Sequence, residues 1–288
     1  MAPVLDQLAL SKDDLDFFRR QLNTEDETEL KAHIINVASQ AYEVFPYGCI
    51  ETFSFVKAKA KLYDEHEAAS AYRGALKVCS ERDGLFLDYG CCFGVDLRKA
   101  VEDGLPAGNA IGVDVHSAFW DLGHKLFKST REKFPATFLS GNALDLSFVS
   151  GRRLCTETPN TGRPNLEALT SLIPLQGHIS AVHAGNVFHL FDEDKQLELA
   201  RALSSLLRPT SGSVIFGCQG TKEVAGEFTN QRGETHFGHS PGSWKQMWDG
   251  DVFPSGSVRV STKLVPIPQY ENYAAGIAGL LVWSCIIL

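Results

Sequence analysis

The 288-residue chain has the composition of a folded protein with a sizeable core, because 44% of its residues are hydrophobic and 22% are charged. Its net charge of −8, from 27 basic and 35 acidic residues, includes no block of Lys or Arg. Nucleic-acid binding normally needs a basic surface. The composition therefore disfavours nucleic acid as a partner and favours a small-molecule substrate.

Neither terminus has the pattern of a targeting or membrane segment. Residues 1–22 are polar and acidic, unlike a secretory signal. The apolar run 274–288 has 15 residues and contains two glycines, whereas a membrane helix needs about 20 apolar residues. We therefore expect a buried strand over 280–287 and no membrane association.

The seven cysteines are odd in number and scattered without CxxC or Cys/His metal spacing. This pattern is typical of free, mostly buried thiols in a reducing compartment, rather than of a disulfide framework or a metal site. We expect a cytoplasmic protein without a bound metal.

Residues 1–80 are predicted to form a helical cap. Residues 11–41 are predicted to form one or two helices, because apolar positions recur at helical spacing over 30–41 and Ser11 is a candidate N-cap followed by acidic residues. Residues 42–55 are aromatic, contain Pro and Gly, and follow no regular period. Residues 64–80 are predicted to form a helix that leads into the first strand.

From residue 85 onward, apolar runs alternate with amphipathic segments, which predicts a parallel, doubly wound α/β sheet. The predicted strands lie near 85–88, 110–114, 136–139, 178–183 and 212–218. The predicted helices lie near 94–103, 117–132 and 192–207.

Two stretches interrupt this alternation. Residues 150–177 are predicted as a long loop with a short helix at 165–172. Residues 219–256 are rich in glycine, contain Trp244 and Trp248, and are predicted as an insertion on the substrate side. Because the sequence has no internal repeat and no low-complexity linker, residues 1–288 are expected to form a single domain.

The most informative segment is 85–96, with the sequence LFLDYGCCFGVD. An apolar run ends in Asp88, a turn contains Gly90 and Gly94, and a second apolar run ends in Asp114, twenty residues after Gly94. Strand, glycine turn, helix, strand and acidic residue follow in the order of a nucleoside-binding βαβ unit.

The turn indicates which nucleoside cofactor it holds. It lacks the Gly-x-Gly-x-x-Gly spacing of a dinucleotide site, and it places Asp88 at its mouth. A carboxylate there repels a pyrophosphate but attracts a sulfonium or ammonium group, which favours S-adenosylmethionine over NAD. Asp88 is then expected near the methionine, Gly90 and Gly94 in close backbone approach, and Asp114 at the ribose hydroxyls.

The segment 88–114 resembles the class I S-adenosylmethionine-dependent methyltransferases. More narrowly, DYGCCFGVDLRK (88–99) is similar to fungal secondary-metabolite methyltransferases of meroterpenoid and polyketide pathways. FPYGCI (45–50), HAGNVFHLF (183–191) and LRP (207–209) share this resemblance. It implies a Rossmann-like methyltransferase sheet, mostly parallel with an antiparallel last strand, and methyl transfer to an oxygen of a small acid or enol.

The resemblance also implies a set of cofactor-binding residues. These are Tyr47, Asp88, Gly90, Cys92, Gly94, Asp114, Val115, Asn142, Ala143 and His183. Asn142 and the Ala143 amide are expected at the adenine. His183 is expected beneath the cofactor, and Tyr47 is expected to close over its methionine.

A phenol or alcohol acceptor needs a general base, whereas a carboxylic acid or acidic enol is already ionised. Histidine suits that role near neutral pH. The candidate catalytic residues are His189, in the apolar context NVFHLF, and His239, in the insertion that also contains His236. A structural histidine explains His189 as well, and a surface turn explains His239 as well.

The sequence thus predicts an O-methyltransferase for a small, largely apolar natural product. An alternative is a methyltransferase-fold cyclase or isomerase that keeps the pocket without methyl transfer. A regulatory relative, a protein methyltransferase and an NAD-dependent dehydrogenase are further alternatives. The acceptor and the oligomeric state stay open, and a homodimer is possible.

Overall fold

The structure is a computed structural model that describes residues 8–64, 69–151, 153–230, 233–266 and 277–288. Within these ranges the α-helices are α1 (Lys12–Leu22), α2 (Glu27–Val44), α3 (Gly48–Glu51), α4 (Ala60–Asp64), α5 (Ala69–Glu81), α6 (Val95–Glu102), α7 (Ser117–Leu126), α8 (Glu193–Ser204) and α9 (Pro241–Trp248). The strands are β1 (Leu85–Tyr89), β2 (Ala110–Asp114), β3 (Thr137–Ser140), β4 (Ile179–Gly185), β5 (Val214–Thr221), β6 (Gly226–Thr229), β7 (Thr235–Gly238), β8 (Val258–Val265) and β9 (Gly279–Ile287).

Seven strands form one sheet in the order β3-β2-β1-β4-β5-β9-β8. The first five are parallel, while β9 runs antiparallel to β5 and β8 runs antiparallel to β9. The chain therefore has the mixed α/β sheet predicted from the sequence, with two antiparallel strands at one end. The remaining strands, β6 and β7, pair only with each other as a hairpin.

The sheet is buried on both faces, as the continuous apolar runs of its strands require. On β1, Leu87 belongs to the core on one face and Phe86 to the core on the other. A third cluster joins the N-terminal helices to the sheet, with Phe18 of α1 stacked on Phe127 at a centroid distance of 5.4 Å. This packing holds the N-terminal helices beside the edge of the sheet that carries the site.

Residues 11–41 belong to two helices, α1 and α2, and local capping interactions set the boundary between them. Ser11 caps α1 in a capping box with Asp14, and Asn23 ends it in the left-handed conformation. Asp26 then caps α2 through the amides of Thr28 and Glu29. The predicted helix over 64–80 falls partly on residues 65–68, which lie outside the described residues.

The predicted strands lie within three residues of those in the structure at each end, including the last, β9, but two predicted helices differ. The helix predicted over 117–132 ends at Leu126, because Lys128 has a left-handed backbone with φ of 44°. The helix predicted at 165–172 is wrong: the chain forms only a 3-10 turn at Leu166–Ala168.

The stretch 219–256 contains more regular structure than the sequence predicted. Strand β5 continues to Thr221, the hairpin β6–β7 follows, and α9 contains both Trp244 and Trp248. None of the described helices combines the length and the apolar character that a membrane span requires.

Candidate functional site

A cavity of about 690 Å³ lies at the carboxyl ends of three parallel strands. Asp88 at the end of β1, Asp114 at the end of β2 and His183 near the end of β4 all contribute to its lining. Open α/β sheets bind ligands at this edge, and the volume is within the range of small-molecule sites. This cavity is the candidate active site.

The walls of the cavity come from three parts of the chain. The first is formed by the strand ends and by the turn 89–94 between β1 and α6, named here the cofactor turn. The second is aromatic and comes from the cap, with Tyr42, Phe45, Tyr47 and Phe55. The third comes from the segment before α8, with Leu190 and Phe191, and from the β6–β7 hairpin, with Asn230, Glu234 and His236.

Asp88 and His183 form a buried pair in the floor of the cavity. Oδ1 of Asp88 lies 2.7 Å from Nδ1 of His183, and the opposite ring nitrogen, Nε2, lies 2.7 Å from the hydroxyl of Tyr63. That hydroxyl also donates to Sγ of Cys218 at 3.7 Å. Tyr63 thus connects α4 to the strand ends, and it was not predicted from the sequence.

The second carboxylate oxygen of Asp88, Oδ2, is buried and has no hydrogen-bond partner among the described residues. An unpaired buried carboxylate oxygen is costly. An incoming cationic N–H group would satisfy it. This oxygen is therefore the observation that most directly fits a ligand with an ammonium group, as S-adenosylmethionine has.

Asp114 is held in place by the backbone. Its two oxygens accept from the amides of Cys92, at 2.9 Å, and His116, at 3.0 Å. Burial raises the pKa of its carboxyl above the ordinary value, although these two amides act in the opposite direction. Each carboxylate oxygen keeps a further lone pair, so Asp114 can still accept hydrogen bonds from a diol.

The cofactor turn requires its glycines. Gly90 has φ of +75°, and a Cβ atom there would overlap Cγ2 of Val187. Gly94 has φ of +69°, and a Cβ atom there would lie 2.9 Å from Cζ3 of Trp120. Gly90 lines the cavity, so its missing side chain leaves the backbone open to close approach by a ligand there. Gly94, which was also predicted to bind the cofactor, does not belong to the lining, and its missing side chain makes room for Trp120.

A lysine–aspartate pair lies beside the Asp88–His183 pair and was not predicted. Nζ of Lys59 is 2.7 Å from Oδ2 of Asp96, and its backbone amide donates to Oδ1 of the same carboxylate at 2.6 Å. Burial alone would lower the pKa of Lys59, but Asp96 raises it above the ordinary value. For Asp96, burial alone would raise the pKa, but the charge and the hydrogen bonds of Lys59 lower it below the ordinary value. Both groups are therefore charged and line the cavity.

Tyr47 lines the cavity from the cap, in contact with two other aromatic rings. Its ring centroid is 4.4 Å from that of Phe45 and 5.8 Å from that of His116. Burial raises the pKa of the Tyr47 hydroxyl, and the nearby charge of Asp114 raises it further. The phenol is therefore neutral near the Asp114 carboxylate.

The two residues expected at the adenine differ in position. Asn142 lines the cavity, and its Oδ1 accepts from the Leu144 amide at 3.0 Å. Ala143 is fully buried and is absent from the lining, and its amide donates to the hydroxyl of Tyr89 at 3.0 Å. Val115 lines the cavity and is 47% exposed, which leaves an apolar surface for a flat ring.

Two thiols meet between the cap and the cofactor turn. The side chains of Cys49 on α3 and Cys92 in the turn both pack on the hydrophobic cluster of the cap. The interaction between the two thiols lowers the pKa of Cys49, whereas burial raises the pKa of Cys92 well above the ordinary value. Both line the cavity, and all seven cysteines are free thiols.

The two candidate catalytic histidines lie outside the cavity lining. His189 and His239 are buried, 8% and 3% exposed, and burial lowers the pKa of each to about 4. His239 bonds Ser243 through Nδ1, at 2.9 Å, and packs on Trp244. The structure brings His236 to the cavity instead, so the geometry does not support the sequence-based choice of base.

The sequence has relatives among fungal methyltransferases. Residues 4–56 match the family described as meroterpenoid methyltransferase N-terminal domain. O-methyltransferase phiE of a fungal species is 33% identical over 246 residues, covering 84% of this chain and 72% of that protein. Asnovolin E/chermesin D methyltransferase nvfJ of Aspergillus novofumigatus is 29% identical over 236 residues, covering 80% and 72%.

Two solved structures align with most of this chain. The PH0226 protein of Pyrococcus horikoshii aligns with a TM-score of 0.49 at 12% identity, over 86% of this chain and 99% of that one. The 1,6-didemethyltoxoflavin-N1-methyltransferase of Burkholderia thailandensis aligns with a TM-score of 0.48 at 14% identity, over 82% and 86%.

The sheet and the acidic cavity at its carboxyl edge fit a nucleoside-binding α/β fold, and together with these relatives they identify the chain as a class I S-adenosylmethionine-dependent methyltransferase. The chain belongs to the methyltransferases of fungal secondary metabolism within that class. It is an enzyme that uses S-adenosylmethionine as its cofactor.

Proposed function

We propose that this methyltransferase methylates an oxygen of a small, largely apolar natural product. The observation that carries the proposal is the cavity itself, in which charged strand ends face a wall of aromatic side chains and a hairpin with His236. Two of the relatives, phiE and atr3 of Stereocaulon alpinum, are named O-methyltransferases. Atr3 is 28% identical over 191 residues, covering 66% of this chain and 47% of that protein.

At the strand-end wall, charge complementarity suggests how the cofactor's methionine is held. S-adenosylmethionine carries an ammonium and a carboxylate there, and when bound it supplies a sulfonium methyl group for displacement. Asp88 offers its unpartnered Oδ2 to the ammonium. Lys59, fixed by Asp96, offers a cation to the carboxylate.

The remaining predicted cofactor residues have consistent positions in this proposal. Asp114 takes the ribose hydroxyls through its free lone pairs, and Val115 with Asn142 borders the adenine. Gly90 and Cys92 give close backbone approach, and Tyr47 closes the methionine from the cap. Gly94 contributes through the shape of the turn, because it leaves room for Trp120. His183 acts through Asp88, because its ring fixes the orientation of that carboxylate. Ala143, whose amide is bonded to Tyr89, contributes through the position of Asn142.

Catalysis in this cavity depends on alignment and on the exclusion of water. The Tyr47 ring packs on Phe45 and Phe119, at centroid distances of 4.4 and 5.9 Å, and all three line the cavity with the strand ends. Holding two reactants in line gives much of the acceleration of a displacement reaction. The aromatic wall from the cap would hold the apolar part of an acceptor, so that the acceptor oxygen faces the strand ends.

The proposal is tested with three apolar acceptors of nearly equal shape that differ in the nucleophile. Enzyme and S-adenosylmethionine with a deuterated methyl group are incubated with α-naphthol, α-naphthoic acid or α-naphthylamine. We expect a mass gain of one labelled methyl group on the hydroxyl or carboxyl probe. Labelling of the amine alone, or no labelling of any probe, would contradict an O-methyltransferase.

The same mass measurement separates the alternative function. A cyclase or isomerase that keeps the pocket would return a product of unchanged mass. The cofactor part of the proposal is tested separately by calorimetry with S-adenosylhomocysteine. Lys59→Met should weaken binding about tenfold or more, as the loss of one hydrogen bond to a charged group implies. Lys57→Met, an exposed lysine two residues away, is the matched control and should bind normally.

A further inference from the structure

Tyr63 is a buried phenol at one end of a chain of hydrogen bonds that leads to Asp88. Its hydroxyl lies 2.7 Å from Nε2 of His183, and Nδ1 of the same ring lies 2.7 Å from Oδ1 of Asp88. All three side chains are buried. Tyr63 belongs to α4 in the cap, whereas His183 and Asp88 belong to strands β4 and β1. A cap residue outside the cavity lining therefore contacts the cofactor site through His183.

The protons of this chain have a defined direction. Burial raises the pKa of the Tyr63 hydroxyl well above its ordinary value, so the phenol is neutral and keeps its proton. That proton is directed mainly to Nε2 of His183, because the other neighbour, Sγ of Cys218, is 3.7 Å away. Nε2 therefore accepts, and the ring proton is on Nδ1, which donates it to the carboxylate of Asp88.

The same hydroxyl favours one orientation of the imidazole. A half-turn of the His183 ring about its Cβ–Cγ bond would put carbon atoms in the places of both nitrogens. The hydrogen bonds to Tyr63 and Asp88 would then be lost, which is costly for buried groups. Phe216 packs on the rings of Tyr63 and His183 at centroid distances of 5.2 and 5.3 Å, but such contacts do not distinguish nitrogen from carbon. The hydrogen bond from Tyr63 does distinguish them.

The position of Tyr63 is fixed by its own backbone. Its amide donates to the carbonyl of Lys59 at 3.0 Å. Lys59 is in turn bonded to Asp96 of α6 through its amide, at 2.6 Å, and through Nζ, at 2.7 Å. The first turn of α4 is therefore anchored to α6, and the Tyr63 hydroxyl is held where it meets His183.

We propose that Tyr63 is a positioning residue for cofactor binding, an inference that rests on the proposed role of Asp88 at the ammonium of S-adenosylmethionine. By holding the His183 ring, the hydroxyl keeps Oδ1 of Asp88 engaged. It thereby leaves the ammonium the other oxygen, Oδ2, which is buried and unpartnered within the described ranges. Tyr63 acts through His183 and Asp88 and does not contact the cofactor.

The first test is a double-mutant cycle that measures cofactor binding without turnover. Tyr63→Phe removes only the hydroxyl, and calorimetry with S-adenosylhomocysteine should show an affinity about three- to tenfold lower, as the loss of one hydrogen bond implies. In the Asp88→Asn background the same substitution should change the affinity less than about twofold, because the charge that Tyr63 positions is absent. An equal loss in both backgrounds would assign Tyr63 a merely structural role.

Tyr72→Phe is the matched control for this cycle. Tyr72 also packs on Phe216, at 6.3 Å, but its hydroxyl donates to Asp103 at 2.7 Å, and neither Tyr72 nor Asp103 lines the cavity. Tyr72→Phe should bind S-adenosylhomocysteine like the unmodified enzyme. An equal loss of affinity in Tyr72→Phe and Tyr63→Phe would overturn the proposal, because any phenol of this aromatic cluster would then have the same effect.

The second test reads the hydrogen bond itself. Long-range proton–nitrogen NMR of the enzyme with S-adenosylhomocysteine locates the ring proton of a histidine, and the His183 signals are assigned by their loss in His183→Gln. We expect a neutral Nδ1–H ring in the unmodified enzyme, and an Nε2 signal that shifts in Tyr63→Phe but not in Tyr72→Phe. An Nε2–H ring, an imidazolium, or an Nε2 signal unchanged in Tyr63→Phe would overturn the proposal.

The two binding measurements also separate this inference from the proposed cofactor site. Undiminished affinity in Asp88→Asn contradicts the role of Asp88, and the inference falls with it. A loss of affinity in Asp88→Asn together with undiminished affinity in Tyr63→Phe overturns only the role of Tyr63.

Discussion

Oδ1 of Asp88 lies 2.7 Å from Nδ1 of His183, and both side chains are only 3% exposed. The pair joins the end of β1 to the end of β4, which are neighbours in the sheet with Asp88 opposite His183 in register. One carboxylate oxygen is thereby fixed, and the other is buried and has no hydrogen-bond partner in the described part of the chain, while the residue itself lines the cavity. The pair gives the strand edge a positioned negative charge.

The first prediction concerns that charge. Asp88→Asn keeps the shape of the side chain but removes the carboxylate, so binding of S-adenosylhomocysteine should weaken about 10- to 100-fold, as expected for a hydrogen bond to a charged group worth about 1.5–3 kcal/mol. Calorimetry measures the loss. Asp121→Asn, an exposed carboxylate on α7, is the control and should bind normally. Undiminished affinity in Asp88→Asn would remove Asp88 from the cofactor site.

The second prediction concerns the backbone of the cofactor turn. Gly90→Ala places a Cβ atom against Val187 in a left-handed conformation, which costs about 1–2 kcal/mol before any clash. We expect a lower free energy of unfolding in urea and weaker binding of S-adenosylhomocysteine. Gly108→Ala, where a Cβ atom meets nothing within 4 Å, is the matched control.

A double variant separates the clash from the backbone strain. Val187→Ala removes the methyl group that the new Cβ would overlap. In the Val187→Ala background, Gly90→Ala should therefore cost less than it does in the unmodified enzyme. An equal cost in both backgrounds would show that the clash with Val187 is not what excludes a side chain at position 90.

The strand edge could be predicted from the sequence because its signals are local. The apolar run before Asp88, the glycines of the cofactor turn and the acidic end of β2 lie within 30 residues, and each has a direct physical reason. The pairing of Asp88 with His183 was not predicted as a contact, since it spans 95 positions. The same is true of Lys59 with Asp96, which joins the cap to α6.

The cavity wall formed by the β6–β7 hairpin could not be predicted, because its geometry depends on how the two strands pair and on where the hairpin packs. The hairpin β6–β7 lies in a glycine-rich stretch with little apolar alternation, and its pairing sets Phe228 opposite His236. A histidine three positions later, His239, lies beyond the strand and packs on Trp244 instead. Sequence composition does not distinguish these two positions, whereas the backbone contacts do.

The third prediction concerns the two thiols at the contact of the cap with the cofactor turn. The thiolate is the reactive form of cysteine, and the pKa of Cys49 is lowered by its interaction with the Cys92 thiol. Iodoacetamide at neutral pH should therefore modify Cys49 faster than Cys155, whose pKa is raised by burial. Peptide mass spectrometry measures both rates.

Cofactor occupancy supplies the control for this thiol experiment. Cys49 and Cys92 line the cavity, whereas Cys155 does not belong to its lining. S-adenosylhomocysteine should therefore slow modification of Cys49 and leave Cys155 unaffected. Equal rates at Cys49 with and without S-adenosylhomocysteine would place the cofactor away from this contact.

The last prediction concerns acid stability. Burial lowers the folded-state pKa of His189 and of His239 to about 4, below the ordinary value of 6.5. Between pH 6.5 and 4 the unfolded chain therefore binds protons that the folded chain excludes. The stability contributed by each neutral imidazole is complete above pH 6.5 and is lost as the pH falls towards 4, by about 3 kcal/mol per group.

Urea unfolding at successive pH values should show a steep decrease in the free energy of unfolding over this interval. His239→Phe, which replaces one of the two titrating rings by an apolar ring beside Trp244, should flatten the decrease by up to half. A slope unchanged by this substitution would show that His239 can be protonated without unfolding.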